Sequence, residues 1–327
     1  MQSIQPYQEL INRELQKRLA LIEEPSGLYA PCKYILRNGG KRVRASLVLL
    51  AAKMFVNDYE KAIPVALAFE TFHNFTLIHD DIMDDALIRR NQPCVHVKWN
   101  TNTAILSGDA VMILAYTFFE EAGAQACSIF PLLNKTAMEV CEGQQYDIDL
   151  EQAALTDAMT NETQYIRMIE LKTSVLLAAC LKAGAIVGGA PAEDADNLYE
   201  IGRKIGIAFQ LQDDILDTYG NVETFGKKIG GDIAENKKTY LVVSALNNLN
   251  ETDKQELIRL YAQKSNDVQK YTHVRALFDK AQVLEKATAA MNTHFEEALE
   301  ILNSLSVSHA QKTELRTFID ELRRREF

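Results

Sequence analysis

The sequence predicts an all-α protein that forms a single domain over residues 1–327. Apolar residues recur at spacings of three and four almost throughout, as in "AIPVALAFETFHNFTLIHD" and "IGRKIGIAFQLQDDILDTYG", which is the period of a helix. Fifteen glycines and seven prolines are few for 327 residues, and this favours long helices over short strands and tight turns. No segment alternates long enough to indicate a sheet. We therefore expect roughly ten or more helices.

The predicted helices are separated by breaks that carry Gly, Pro or Asn, the residues that interrupt helical periodicity. In chain order the breaks are "EEPSG" (23–27), "RNGGKR" (37–42), "RRNQP" (89–93), "GGAPAED" (188–194) and "YGNVETFGKKIGGD" (219–232). No low-complexity linker divides the chain, which agrees with a single domain.

Composition and charge narrow the possible classes of function. The net charge is −10 and the pI is about 5.2, without a basic stripe, so we expect no nucleic-acid partner. The charged N-terminus lacks the apolar core of a signal peptide. The most apolar stretch, "TSVLLAACLKAGAIVGGA", is interrupted by Lys182, and we predict no membrane span. The five cysteines include no CxxC pair, which is typical of a reducing compartment, so we expect a cytoplasmic protein.

One short motif occurs twice. "DDIMD" at 80–84 returns as "DDILD" at 213–217, each after an apolar helical run. Positions i and i+4 share a helix face, so Asp80 points with Asp84, and Asp213 points with Asp217. Asp81 and Asp214 flank these pairs. Two solvated acidic helix ends are the alternative interpretation, but the repetition in apolar surroundings favours a metal site.

The type of metal follows from the ligands. Clustered carboxylates repel one another unless cations neutralise them. Oxygen ligands without Cys or His select hard cations, above all Mg²⁺, which also binds substrate phosphates. Polar residues extend the acidic face of each helix towards its N-terminus. His73 and Thr76 precede Asp80 on nearly the same face, and Gln210 precedes Asp213.

Positive groups suited to an anionic ligand occur both before and after the first motif. In "RNGGKRVR", Gly39 and Gly40 are expected to end one helix, and Lys41, Arg42 and Arg44 to open the next. Exposed N–H groups at a helix start together with long cations form an anion site. Arg89 and Arg90 add a second cationic pair, for which a solvated helix end is the alternative interpretation.

Taken in order, these motifs resemble the trans-isoprenyl diphosphate synthases, or polyprenyl synthetases, across nearly the whole chain. The matching segments are "GGKRVR", "LIHDDIMDDALIRR", "EGQQYDID", "ELKTS", "FQLQDDILDTYG", "FGKKIGGD" and "ENKKTY". Each segment alone is modest evidence, but their order and spacing are specific. The resemblance implies an isoprenoid-synthase-type helical bundle in which the two DDxxD helices face each other across a central cavity.

The resemblance also implies roles for individual residues. Three Mg²⁺ ions on the allylic diphosphate would be held by Asp80, Asp81, Asp84 and Asp213, with Asp214 and Asp217 completing the second motif. That diphosphate would be clamped by Arg89, Lys172, Lys227 and Lys237. The pocket for isopentenyl diphosphate would consist of Lys41, Arg44, His73 and Arg90. Oxygen dipoles for the allylic cation would come from Thr173 and Gln210, and a supporting pair from Gln144 and Asp147.

Two of these assignments have alternatives. Lys172 lies between Leu171 and an apolar helix, so without the resemblance its side chain could simply reach to solvent. "FGKKIGGD" could be an ordinary flexible loop, and we interpret it as a lid with Lys227 at its tip.

The implied reaction is ionisation, condensation and elimination. Mg²⁺ and the cations draw charge onto the leaving diphosphate of a dimethylallyl, geranyl or farnesyl substrate. Isopentenyl diphosphate then attacks the allylic cation and a proton leaves, with water excluded. A terpene cyclase shares the first acidic motif but lacks GGKxxR and a second symmetric motif. A non-catalytic subunit would have lost acids, and a calcium-binding scaffold leaves the cations unexplained.

The expected product is geranylgeranyl diphosphate (C20), with farnesyl diphosphate (C15) as the first alternative and a longer polyprenyl diphosphate as the second. In the family, the fifth and fourth residues before the first aspartate form the floor for the growing tail, and here they are Phe75 and Thr76. An ideal helix instead favours Phe72, which lies about 80° from Asp80 against about 140° for Phe75. We predict that Phe75 is the main residue that limits the length of the product and that Phe72 is a second one. The resemblance also implies a homodimer.

Overall fold

The structure, a computed structural model, describes residues 2–220, 230–262 and 264–324. Helices dominate these ranges, so the predicted all-α class is confirmed. The helices are α1 (Gln5–Leu19), α2 (Ser26–Arg37), α3 (Val43–Lys53), α4 (Ile63–Met83), α5 (Val95–Lys98), α6 (Thr101–Glu120), α7 (Ala124–Gln152), α8 (Glu162–Ile169), α9 (Val175–Gly188), α10 (Ala192–Tyr219), α11 (Gly231–Ala234), α12 (Tyr240–Asn248), α13 (Glu251–Leu260), α14 (Val268–Lys280), α15 (Val283–Ser304) and α16 (His309–Arg323). A 3₁₀ turn spans Tyr59–Ala62, and a π-helical turn spans Glu170–Ser174.

Contacts group the chain into two compact units. The first unit takes the residues up to Leu133, with Ala179–Tyr199 and Ser306–Phe318. The second unit takes Asn134–Ala178, Glu200–Leu305 and the residues from Ile319 onward. The single domain predicted from the sequence stays a prediction.

The core of the first unit is built around α4, which packs against α3 and α6. Pro64 occupies the first turn of α4, where its missing N–H costs no helical hydrogen bond. Phe69 and Phe72 are fully buried, and truncating such a side chain costs about 3–5 kcal/mol. The helix is therefore a rigid support for the aspartates at its C-terminal end.

A small hairpin in the first unit departs from the prediction of helices alone. Strands β1 (Ile88–Arg89) and β2 (Gln92–Pro93) pair antiparallel. Between them, Arg90 and Asn91 have φ angles of 53° and 61°, in the left-handed region that side chains rarely adopt. Strands of two residues are too short to leave an alternating pattern in the sequence, so periodicity could not reveal them.

In the second unit, α10 approaches the preceding helical segment through glycines. A Cβ at Gly206 would lie 2.6 Å from Cα of Ser174, and one at Gly202 would lie 2.7 Å from the backbone nitrogen of Ala178. Gly202, Gly206 and Gln210 share one face at intervals of four residues. The close glycine contacts therefore bring Gln210 beside the π-helical turn.

Two helical stretches are long and apolar enough, by length and composition alone, to cross a membrane: Thr101–Glu120 and Glu162–Gly188. In the second stretch, 72% of the apolar window is buried, and core helices pass the same test. In the first stretch, 39% of the window is buried, so much of its apolar surface faces outward. Both stretches are weak evidence for a span.

Candidate active site

The first aspartate motif lies where α4 ends. Asp80 is in the last turn and Asp84 caps the helix, with the Asp84 N–H donating to the Asp80 carbonyl at 2.9 Å. Asp80 is partly buried and Asp84 is exposed. The two lie four residues apart on one helical face, as their spacing predicts.

Asp81 lies in a different environment from these two residues. Its side chain is 1% exposed, and its Oδ1 accepts a hydrogen bond from Nε of Arg89 at 2.6 Å. Arg89 also lies 3.6 Å from Oδ2 of Asp80 through Nη2. Burial first, and then the charge of Asp81, raise the pKa of the nearby Cys94 thiol to about 12. Asp81 therefore anchors the β1–β2 hairpin, and with it the cation Arg89.

Several arginines of the first unit lie around His73. Arg44 Nη1 lies 2.9 Å from Nε2 of His73, and because a guanidinium can only donate, Nε2 accepts. Burial lowers the pKa of His73 well below its usual value, and Arg44 and Arg90 lower it further. The imidazole is thus held neutral beside two guanidinium groups. Lys41 is exposed at the edge of this cluster.

The turn before α3 wraps around Arg90. Arg90 Nη1 donates to the carbonyl of Gly39 at 2.7 Å. Gly40 has a φ of 112°, and a Cβ there would lie 2.8 Å from Cζ of Arg90. Glycine at position 40 permits this backbone conformation, and its lack of a side chain leaves room for the Arg90 guanidinium where it now lies.

The boundary predicted around these glycines is confirmed, since α2 ends at Arg37 and α3 begins at Val43. The expectation for Arg42 is wrong, because it does not join the exposed anion-binding cations. Arg42 is buried and paired with the buried Glu70 at 3.2 Å. Sequence reasoning missed Glu70, although a glutamate inside the apolar run "VALAFETF" was a signal that it has a partner.

In the second unit, Asp214 is the second aspartate of its motif and is buried, as Asp81 is in the first motif. Asp214 is buried, and its Oδ2 accepts hydrogen bonds from the Tyr165 hydroxyl and from the Tyr240 N–H, the latter at 3.1 Å. Burial, followed by the charge of Asp232, raises the pKa of Asp214 well above its usual value. The two tyrosines, which the sequence did not single out, tie α8 and the start of α12 to α10.

Asp217 lies beside an acid that the sequence analysis did not single out, Asp232. Oδ2 of Asp217 accepts the N–H of Asp232 at 3.0 Å. Burial first, and then the carboxylate of Asp232, raise the pKa of Asp217 to about 6. Lys237 lies 3.7 Å from Oδ1 of Asp232, which brings one predicted diphosphate clamp next to this motif. Lys227, another predicted clamp, lies outside the described residues.

Lys172 and Thr173 occupy the π-helical turn between α8 and α9. Nζ of Lys172 donates to Oδ2 of Asp147 at 2.5 Å, so the structure brings these two predicted site residues together. Gln144 precedes Asp147 by one helical turn on α7 and is partly buried. The Thr173 hydroxyl lies 3.5 Å from Oε1 of Gln210, which joins another predicted pair. Single π-helical turns are frequent at functional sites because they redirect side chains.

The residues predicted to set chain length lie together on α4. Phe72 is 2% exposed, whereas Phe75 is only partly buried, and their ring centroids are 5.5 Å apart. The His79 ring meets Phe75 edge to face at 4.9 Å. The Thr76 hydroxyl donates to the His73 carbonyl at 2.8 Å. Phe72 thus belongs to the core of the first unit, and Phe75 borders its surface.

The oxygen donors present fit Mg²⁺ better than a metal with an all-protein cage. Among the described residues, no three His, Cys, Asp or Glu side chains converge as a metal site. Mg²⁺ is usually bound by one or two carboxylates together with water and substrate phosphates. The pair Asp80 and Asp84 supplies such a donor set, whereas Asp81 and Asp214 are buried and accept hydrogen bonds from Arg89 and Tyr165, with Oδ2 of Asp81 left without a hydrogen-bond partner in the described part of the chain. A metal role for those two residues stays a prediction.

Comparison with known proteins identifies close similarity along the whole chain. The polyprenyl synthetase family model matches residues 25–278. A geranylgeranyl diphosphate synthase of Methanosarcina mazei is 43% identical over 227 residues, which are 68% of this chain and 69% of that protein. A geranylfarnesyl diphosphate synthase of Natronomonas pharaonis is 37% identical over 256 residues, 72% of this chain and 74% of its own. The crystal structure of a geranylgeranyl pyrophosphate synthase superposes with a TM-score of 0.92 at 38% identity, covering 99% of both chains.

Proposed function

Because the chain belongs to the polyprenyl synthetase family of trans-prenyltransferases, we propose that it condenses an allylic diphosphate with isopentenyl diphosphate to give geranylgeranyl diphosphate and free diphosphate. The observation that carries this proposal is the cluster in which Arg44 lies 2.9 Å from the partly buried His73, on the same helix as the aspartates of the first motif. Guanidinium groups gathered in this way suit a diphosphate anion.

Isopentenyl diphosphate would bind to Lys41, Arg44, His73 and Arg90 in the first unit. Arg44 Nε is buried without a hydrogen-bond partner, and a diphosphate oxygen would satisfy it. Neutral His73 accepts from Arg44 and so fixes the guanidinium. The C–O bond of this substrate would stay intact, because its cleavage would give a primary cation without allylic stabilisation.

The allylic diphosphate would be bound at the aspartate motifs. Within the set that the resemblance implies, Asp80, Asp84 and Asp213, with Asp217 in support, would hold magnesium, which would act as a Lewis acid on the leaving diphosphate. Arg89 would add a positive charge, since Asp81 fixes it 3.6 Å from Asp80. The resemblance implies three ions and the clamps Lys172, Lys227 and Lys237. It also implies that both motifs serve one substrate.

The condensation itself needs charge stabilisation and dry surroundings. As the allylic C–O bond breaks, the oxygens of Thr173 and Gln210 would stabilise the carbocation. The isopentenyl double bond then forms the new C–C bond, and the released diphosphate would take the proton that leaves. We assign no nucleophilic side chain, because the substrate's own double bond attacks.

Phe75 and Thr76 support geranylgeranyl diphosphate as the product. The large ring at position 75 borders the surface of the first unit and would stop the tail, while the small Thr76 would leave room for more than fifteen carbons. The similar geranylgeranyl diphosphate synthase of Methanosarcina mazei agrees with this length. Farnesyl diphosphate and the longer geranylfarnesyl diphosphate are the alternatives.

The test combines substrates, metal and product size. The purified protein is incubated with radiolabelled isopentenyl diphosphate and dimethylallyl, geranyl or farnesyl diphosphate, with Mg²⁺ or with EDTA, and the products are separated by chain length. We expect Mg²⁺-dependent C20 product from all three primers. Asp80→Ala and Asp213→Ala should lower turnover by orders of magnitude. Asp196→Ala, at an exposed acid, is the matched control. Equal turnover in EDTA would refute the proposal.

We further propose a homodimer in the cytoplasm. Ile105, Leu106 and Ile113 on α6 are 44%, 59% and 59% exposed, and such an apolar face is typical of a protein interface. A cytoplasmic location is supported by the five cysteines, all of which are free thiols.

A further inference from the structure

A buried ion pair lies beneath the cationic pocket of the first unit. The side chains of Arg42 and Glu70 are 2% and 3% exposed, and their charged atoms are 3.2 Å apart. Taking both charges out of water costs about as much as the pair regains, so an apolar pair of similar volume is often equally stable. Stability alone therefore does not explain why charged residues occupy this position.

The pair holds a strained turn. Gly39, Gly40 and Arg42 have φ angles of 58°, 112° and 45°. For an arginine this left-handed conformation costs about 1–3 kcal/mol, and it persists only where other contacts impose it. Arg42 Nη2 donates to the Leu36 carbonyl at 2.6 Å, and its Nε donates to Oδ1 of Asn12 at 3.0 Å. Arg42 thus fastens the turn from inside.

The same network reaches a second strained turn. Asn74 is fully buried, and its Nδ2 donates to the Glu70 carbonyl at 2.7 Å. Oδ1 of Asn74 accepts from Nη1 of Arg90 at 3.4 Å. Arg90 is itself left-handed, with a φ of 53°, and donates to Gly39. Glu70 and Asn74, one turn apart on α4, therefore connect both turns.

The charge of Glu70 has a further effect on the pocket. Burial lowers the pKa values of Arg44 and Arg90, and the carboxylate of Glu70 acts against that shift in both. Glu70 thereby lets several guanidinium groups approach each other before an anionic substrate arrives.

We propose that Glu70 and Asn74 are positioning residues for isopentenyl diphosphate. They do not touch the substrate. They hold the two turns so that Lys41, Arg44 and Arg90 point at one diphosphate. This inference rests on the proposed function, which supplies the substrate for that pocket.

The experiment measures binding and turnover separately. Isopentenyl diphosphate is titrated calorimetrically into the wild type, Glu70→Gln and Asn74→Ala without any allylic substrate. In both variants we expect Kd and KM for isopentenyl diphosphate to rise roughly ten- to a hundredfold, since small displacements of binding groups weaken contacts by such factors. The KM for the allylic substrate should stay within about twofold of the wild type.

Two further variants separate positioning from stability. Asp194→Asn also neutralises a buried carboxylate of the first unit, one that accepts from Ser306, and it should lower the unfolding midpoint without changing Kd. The double variant Arg42→Met with Glu70→Leu replaces the ion pair by an apolar pair. It should unfold near the wild-type midpoint but keep the raised Kd. If its Kd returned to the wild-type value with the midpoint, the pair would be structural only.

The outcomes also distinguish this inference from the proposed function. A wild type that binds isopentenyl diphosphate but forms no prenyl product refutes the proposed function, and the Kd values still decide the inference. A wild type that neither binds it nor forms prenyl product refutes both. If Glu70→Gln and Asn74→Ala both leave Kd unchanged, or raise both substrates' KM values equally, the inference alone is wrong.

Discussion

At the scale of single residues, the aspartates of each motif divide into two kinds. Asp80 and Asp84 share the outer face of α4, whereas Asp81 is turned inward onto Arg89. Asp214 is likewise turned inward, onto Tyr165. A helix advances about 100° per residue, so the second aspartate of DDxxD must leave the face of the first and fifth. The motif therefore combines outward donors with an inward anchor.

This division predicts different effects for neighbouring substitutions. Asp80→Asn should raise the Mg²⁺ concentration for half-maximal activity at least tenfold or so, because a charged oxygen donor is lost. Asp81→Asn should leave that concentration nearly unchanged, but lower the unfolding midpoint by weakening a buried charged hydrogen bond. Mg²⁺ titrations of activity and thermal unfolding test both variants. Equal effects on the Mg²⁺ requirement would make Asp81 a ligand.

His73 predicts a dependence of stability on pH. Burial, followed by Arg44, lowers its pKa in the folded protein, so below the unfolded value of about 6.5 the unfolded chain binds a proton that the native state does not. Stability is therefore lost as the pH falls below about 6.5. Between pH 7.5 and 5.5, His73→Gln should lose up to about 1.4 kcal/mol less stability than the wild type. Urea unfolding at the two pH values measures this difference, and identical losses would contradict it.

Phe75 predicts a change in product length. Phe75→Ala removes a partly exposed ring and should shift the product beyond C20, while Thr76→Phe should shift it towards C15. Phe72→Ala is a poor probe, because truncating a ring that is 2% exposed costs about 3–5 kcal/mol. Chromatography of the dephosphorylated products reports the lengths. If Phe75→Ala left them unchanged while the milder Phe72→Leu lengthened them, the floor would be Phe72.

At the scale of elements, the π-helical turn Glu170–Ser174 is supported by α7. Gly143 of α7 lies against it, and a Cβ there would be 2.6 Å from the carbonyl carbon of Leu171 and 2.7 Å from Cα of Lys172. These contacts are with backbone atoms of Leu171 and Lys172, which cannot move aside as the end of a flexible side chain can. The close approach also keeps Asp147, four residues on, within reach of Lys172.

Gly143→Ala should therefore affect both stability and turnover. Overpacking of this kind costs about 1–3 kcal/mol, and displacement of Lys172 should lower kcat more than it raises the KM for isopentenyl diphosphate. Gly27→Ala is the matched control, because nothing lies within 4 Å of a Cβ at that position. Unfolding midpoints and steady-state kinetics of both variants decide. A fully stable and active Gly143→Ala would show that α7 does not set the position of Lys172.

The elements also show what the sequence could and could not predict. Helical periodicity and glycine breaks placed α4, α10 and their acidic faces correctly, because these signals are local. The π-helical turn adds one residue to a helix and leaves no periodic trace. Tyr165 lies 49 residues from its partner Asp214, and Glu70 lies 28 from Arg42. Such partners follow from tertiary packing, which no single stretch of sequence encodes.

At the scale of the whole molecule, the outward face of α6 lacks a role within the first unit. Asn100 caps the start of this helix through the Thr103 N–H at 2.8 Å, and its inner face, including Ser107 and Val111, is buried. Leu106 and Ile113 lie seven residues apart on the opposite face and are both 59% exposed. Burying two such side chains on each copy of the chain would contribute several kcal/mol, about 1.5–3 kcal/mol for each.

The last prediction concerns assembly through this face. Leu106→Glu combined with Ile113→Glu should convert a wild-type dimer into a monomer, because association would bury four carboxylates without partners. Val268→Glu, at an exposed apolar residue of α14, should leave the dimer intact and serves as the control. Analytical ultracentrifugation over a range of concentrations measures all three proteins. If the double variant remained dimeric, another surface would form the interface, and a monomeric wild type would refute the homodimer itself.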